Sequence, residues 1–215
     1  NIFQRVERIE EITKKILSDF KDNNGIFIKE DFLSYEVRKL EPLCGNYKSY
    51  QICSMPPPSS GGVAIIQMLN ILENFDLKNF QHNSLEYIYL LKDIMGFAYA
   101  DRSVFLGDPE FFNVPVNELI SKDYAEKIAK KIKNKEISNI QPGMLMKESD
   151  ETTHFSIIDK WGNSVSNTFT LNGTYGSGIV AKGTGILMNN EMDDFSSKPG
   201  YPNLYGLVGS EANKI

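Results

Sequence analysis

The chain has 215 residues and a net charge of −5, with 41% hydrophobic and 24% charged residues, an ordinary balance for a globular protein able to bury a sizeable core. This acidic balance argues against a nucleic-acid partner, because no dense basic patch is available to neutralise phosphates. No apolar run approaches the ~20 residues needed to span a bilayer, and a sequence that starts at Asn1 and stops in a polar stretch at Ile215 is expected to be a piece of a longer protein.

Ile2, Phe3, Val6, Ile9, Ile12, Ile16, Leu17 and Phe20 recur at three- and four-residue steps, which predicts an amphipathic helix over 2–22 with Gly25 as its stop. Another short element is expected within 26–35. Residues 41–55 read as a β-hairpin turning at Lys48 and Ser49, which would set Cys44 opposite Cys53. Those two are either a disulfide or free thiols; they have neither the spacing nor the nearby histidines of a zinc site.

MPPPSSGG, Met55 to Gly62, cannot be helix or central strand through its prolines, and Ser59 and Ser60 are candidate N-caps for a helix over 63–75. Val63, Ile65, Ile66, Leu69, Ile71 and Leu72 surround that helix, so burial is expected. A second apolar helix is predicted over 84–106 and a third, amphipathic, over 117–132, with the lysines from Lys127 to Lys135 on a solvated face. Beyond Pro142 the period shifts. HFSIID and SVSNTFTLN alternate around a turn at Gly162 and predict a hairpin whose first strand enters the core. A glycine-rich stretch and an acidic loop follow. Helices before strands make the chain α/β, with helices packed on sheet.

Candidates for chemistry are few. A Ser-His-Asp triad would need His82 or His154. His82 lies in a polar connection, and His154 faces away from Thr153 and Phe155 in a regular strand, where a structural role fits better than that of a base. PPPSSGG lacks the G-x-S-x-G elbow and the Gly-Lys-Ser/Thr of a phosphate loop. A chain this poor in histidine can still activate a hydroxyl if a threonine stands at a chain terminus and uses its own α-amine as general base. That amine has a pKa of about 7.7–8, close to where a base works best. The Glu151–Thr152 bond, between a polar approach and a strand, is where such a terminus would be cut.

MPPPSSGG, YADRSVFLGDPEF, TTHFSIIDKWGN, TLNGTYGSGIV, GILMNNEMDDFSSKPG and NLYGLV occur in this order. Together they resemble gamma-glutamyltranspeptidase, a family of N-terminal-nucleophile hydrolases, along essentially the whole chain. The resemblance implies a four-layer αββα sandwich, incomplete here, and a precursor that cuts itself at Glu151–Thr152. Residues 1–151 would then belong to the large subunit and 152–215 to the small one, the two forming a heterodimer. Thr152 would be the nucleophile toward the γ-glutamyl amide of glutathione and related compounds, with water, an amino acid or a dipeptide as acceptor. Thr170 would orient it, Asn172, Glu191 and Asp194 would hold the substrate's α-amino group, and Tyr205 would sit in a lid loop.

Three acceptors suit a buried ammonium. The family needs no metal or organic cofactor, and its bacterial members are usually periplasmic or secreted. Its carboxylate-binding arginine lies upstream of this chain, and its paired serines and oxyanion glycines lie downstream, so the piece alone is expected to be inactive. Two rivals stand beside this reading: a related acylase acting on β-lactam side chains or poly-γ-glutamate, and a degenerate, non-catalytic homologue.

Overall fold

The computed structural model describes residues 2–111 (side chains from Ile9 onward), 113–135, 152–194, 198 and 200–204. In chain order the elements are α1 (Ile2–Asp22), α2 (Lys29–Leu33), β1 (Leu43–Tyr47), β2 (Tyr50–Ser54), α3 (Gly61–Leu72), α4 (Leu85–Phe105), α5 (Val116–Leu119), α6 (Lys122–Lys133), β3 (Thr153–Ile158), β4 (Ser164–Phe169), β5 (Val180–Ala181) and β6 (Ile186–Leu187). The strands form three antiparallel pairs, β1–β2, β3–β4 and β5–β6. Two compact units result, one from 1–39 with 148–194 and one from 40–147 with 195–215. The first unit therefore takes residues from both sides of the 151–152 bond.

The core of the second unit lies where α3, α4 and α6 meet. Ile71, Leu90, Ile94, Ala125, Ile128, Ala129 and Ile132 pack there, and burying each large aliphatic side chain contributes about 1.5–3 kcal/mol. The alternating apolar positions of α6 face this cluster, while Lys127, Lys130, Lys131 and Lys133 stay in water, as expected. The third predicted helix is broken in two, however. The Ser121 side chain accepts from Tyr124 N at 3.1 Å, which starts α6 afresh behind the short α5.

Ser60 stands at the N-cap position of α3 but does not cap it, contrary to expectation. Its backbone is already helical, and its hydroxyl accepts from Arg102 Nε at 3.0 Å instead. The Ser59 hydroxyl makes a long 3.4 Å contact with Gly61 N. Nearby, the buried Gln67 donates to Asp101, and the Tyr124 hydroxyl donates to both Asp101 oxygens at 2.9 and 3.0 Å. Burial pushes the Asp101 carboxyl above its ordinary range against these hydrogen bonds, and burial and the Asp101 charge raise Tyr124. The PPPSSGG turn and the YADRS helix segment are thus tied together by polar side chains. Gly62 is required at this contact, since a Cβ there would run into the Met55 carbonyl oxygen.

The β1–β2 hairpin pairs Cys44 with Cys53, and the two are joined as a disulfide. It is held to the helices at its turn, where Lys48 N donates to Glu73 Oε1 at 2.6 Å and Lys122 reaches both Glu73 and the Asn46 carbonyl. The Lys122 hydrogen bond is the main reason the Glu73 carboxyl sits below its ordinary value.

In the first unit, α1 ends differently from the sequence expectation. Asn24, with φ 59°, takes the left-handed turn instead of Gly25. Gly25 is needed for another reason, because a Cβ there would meet the Phe20 ring. Asp19 of α1 accepts from Lys182 N at 2.9 Å and so fastens the β5–β6 loop.

Candidate active site

The β3–β4 hairpin carries the first candidate residues. Its register pairs Thr153 with Phe169, His154 with Thr168, Phe155 with Asn167 and Ser156 with Ser166. The ladder ends at Thr153–Phe169, so that Thr152 directly precedes β3 and Thr170 directly follows β4. Asp159 closes the far end, accepting from Trp161 N, Asn163 N and Asn163 Nδ2 at 2.8–2.9 Å. The expected burial of β3 is not found. Every residue of β3 is exposed, because β3 and β4 pack on each other and no helix among the described residues packs over Phe155, Ile157, Val165 and Phe169.

At Thr170 the chain leaves β4 and turns sharply. The Thr170 hydroxyl accepts from Asn172 N at 2.9 Å, and Asn172, with φ 68°, takes a left-handed conformation that asparagine tolerates better than most residues. Asn172 is buried at 5% exposure, and its Nδ2 donates to the Asn190 carbonyl at 3.1 Å. Gly173 N in turn donates to Asn190 Oδ1 at 2.9 Å, and Asn190 N to the Leu171 carbonyl at 3.1 Å. Residues 171–173 are therefore stitched to Asn190.

The intervening glycine-rich loop folds back to make this possible. Ser177 N and Oγ both donate to the Met188 carbonyl at 2.9 and 3.0 Å, and a Cβ on Gly176 would collide with that same carbonyl oxygen. Straight after Asn190, a single 3-10 turn, Glu191–Asp194, presents its acidic residues beside Asn172. Burial, then the neighbouring Asp194 charge, raise the Glu191 carboxyl above 4.5, while the Asn172 backbone N–H pulls it back. Glu191 Oε1 is buried with no hydrogen-bond partner among the described residues.

Thr170, Asn172 and Glu191 are thus gathered by one turn and one loop, with Asp194 beside Glu191, while Thr152 stands one residue before the first pair of the β3–β4 ladder. Glu151 and Tyr205 lie outside the described residues. Asn190 was not singled out in the sequence; an asparagine directly before the acidic triplet was the available signal. The His154 ring is engaged by three hydroxyls, those of Thr168, Ser166 and Ser156. Chemically, the arrangement offers a half-buried Glu191 carboxylate with an unfilled acceptor, next to the exposed Asp194, suited to a cationic group.

Comparison with known proteins agrees with this geometry. Residues 9–215 match the family model for gamma-glutamyltranspeptidase. The chain is 50% identical over 208 residues to a glutathione hydrolase proenzyme of Escherichia coli (strain K12), covering 95% of this chain and 36% of that protein. The chain thus spans little more than a third of the length of the curated relatives it matches. Among solved structures it resembles Helicobacter pylori gamma-glutamyltranspeptidase, with a TM-score of 0.54 and 44% identity over 62% of this chain and 40% of the other. It also resembles a cephalosporin acylase from Bacillus halodurans, with a TM-score of 0.71 and 25% identity over 95% of this chain and 36% of the other.

Proposed function

The chain belongs to the gamma-glutamyltranspeptidase family, and on that premise we propose that the full-length protein carrying it is a gamma-glutamyltransferase and glutathione hydrolase. The observation that carries this reading is the acidic cradle of Glu191 and Asp194 against Asn172. It leaves a buried carboxylate oxygen open to an ammonium such as the one a γ-glutamyl group bears on its α-carbon.

The Thr152 hydroxyl first attacks the Glu151 carbonyl, an N-to-O acyl shift gives an ester, and water opens it. The freed α-amine then takes the Thr152 hydroxyl proton as that oxygen attacks the γ-glutamyl amide. A γ-glutamyl ester forms on Thr152, the protonated amine of cysteinylglycine leaves, and water or the amine of an amino acid or dipeptide takes the glutamyl group. Thr170 orients the nucleophile. Its hydroxyl oxygen already accepts from Asn172 N, which leaves its own proton to donate. Tyr205 belongs to a lid loop.

Residues 1–151 and 152–215 fall to large and small subunits of a heterodimer, whose remaining chain completes a four-layer αββα sandwich in the periplasm or outside the cell. The resemblance to a cephalosporin acylase supports a second reading, amide cleavage of other acyl groups. A glutaryl amide lacks the α-ammonium, so the acidic cradle favours the γ-glutamyl substrate.

The test is N-terminal sequencing of the smaller band of the full-length protein, with rates on γ-glutamyl and glutaryl anilides. A Thr152 N-terminus and a strong γ-glutamyl preference are expected. An uncut chain favours the degenerate homologue, and a glutaryl preference favours the acylase.

A further inference from the structure

We propose that His154 is a positioning residue that clamps the strand end next to Thr152, holding the nucleophile in place by bonding across the β3–β4 ladder; this rests on the function proposed above. The imidazole lies on the face opposite Phe155 and Ile157. Its Nδ1 is 2.7 Å from Thr168 Oγ1, its direct cross-strand partner, and its Nε2 is 3.1 Å from Ser166 Oγ and 3.4 Å from Ser156 Oγ. Both ring nitrogens are therefore engaged by hydroxyls. Side chains two apart share a face, so Ser156–Ser166 and His154–Thr168 form two successive rungs, and Thr152 lies two residues before His154, just beyond the last pair, Thr153–Phe169.

The position matters because of what cleavage does to the strand. Before the cut, Thr152 is continuous with the chain that precedes it. Afterwards it is the free end of an exposed strand, and strand ends fray. The His154–Thr168 bond is the first side-chain clamp inward from that end. Because neither imidazole nitrogen is left without a hydroxyl, the ring acts as a brace, and the base remains the terminal amine. Misplacing a reacting group by about 1 Å can cost on the order of 10²-fold in rate, so a frayed first rung would show in turnover before it showed in binding.

The experiment uses the full-length precursor with His154→Phe, which keeps a ring without hydrogen bonds, His154→Asn, whose amide replaces Nδ1, and Thr168→Val, which removes only the partner hydroxyl. The readouts are the time course of small-subunit release and kcat and KM for a γ-glutamyl anilide. His154→Phe and Thr168→Val are expected to lower kcat by about 10- to 100-fold, with KM within about twofold and self-cleavage slowed alongside. His154→Asn is expected to recover most of the loss. Wild-type kcat in His154→Phe, a raised KM at unchanged kcat, or a His154→Asn variant as poor as His154→Phe would each overturn the clamp. If His154→Phe fails to fold, Thr168→Val decides alone, with wild-type kcat counting against it. If the parent cuts itself but ignores γ-glutamyl substrates, the substrate reading falls while the cleavage time course still judges His154. A parent that never cuts itself removes both.

Discussion

Replacing Asn172 separates two demands that meet on one residue. Its backbone is left-handed, a conformation that asparagine tolerates but that costs alanine about 1–2 kcal/mol, and its Nδ2 bonds the Asn190 carbonyl. Asn190 O also accepts from Asp193 N at 3.0 Å, so it stays paired when Nδ2 is lost. That bond is then worth only its net value of about 0.5–1.5 kcal/mol. Asn172→Ala should therefore destabilise the processed protein by about 1.5–3.5 kcal/mol. Asn172→Gly, free to adopt the same backbone, should be about 1 kcal/mol more stable than the alanine variant. Both also lose the amide oxygen that, on the proposed function, meets the substrate ammonium. A hydrogen bond to a charged group is worth about 1.5–3 kcal/mol, or about 10- to 150-fold in kcat/KM. Guanidinium midpoints and donor kinetics on the three proteins read the two effects separately. Equal stability of Ala and Gly variants would refute the conformational half, and wild-type kcat/KM in Asn172→Gly would refute the ligand half.

Changing both Cys44 and Cys53 to serine opens a loop of about ten residues, worth about 2.7 kcal/mol of chain entropy; hydrogen exchange in β1–β2 should quicken about hundredfold, and a change below threefold would show that packing alone holds the hairpin. Donor affinity should weaken as pH falls through the raised Glu191 pKa, because the neutral acid no longer attracts an ammonium. Asp194→Asn, by removing the like charge, should move that acid limb to lower pH in the kcat/KM profile; an unmoved limb would assign it to another group. The same raised pKa means that the Glu191 contribution to stability is present below the ordinary value of 4.5 and is lost as pH rises through the folded-state value. Tyr124→Phe, which removes the single hydroxyl proton shared between both oxygens of half-buried Asp101, should lower the denaturation midpoint by the equivalent of about 1–3 kcal/mol, with activity measured alongside to show that the loss is structural.

Much of the local structure was legible in the sequence because it rests on local rules. The 3.6-residue period of the early helices, the alternation around Gly162 and the hairpin that pairs the cysteines follow from neighbours in the chain. The misreadings came where a distant or competing partner intervened. Ser60 lost its capping role to Arg102, forty-two residues away, and Ser121 gained one that split a helix whose apolar period ran on undisturbed. The exposed β3 reflects what is packed over it, which no alternation reveals. Thr170, Asn172, Glu191 and Asp194 could be named from the motifs, but not the device that gathers them. Asn190 stitches the turn to the acidic residues through a register across eighteen residues of glycine-rich loop. The hydroxyls around His154 depend likewise on cross-strand pairing.

Both strands of the β3–β4 ladder lie downstream of the 151–152 bond. Among the described residues, severing the chain there would break no strand pair, so the β3–β4 pairs next to Thr152 are in place beforehand. On the proposed cleavage, maturation would then unmask one amine beside strands that are already paired.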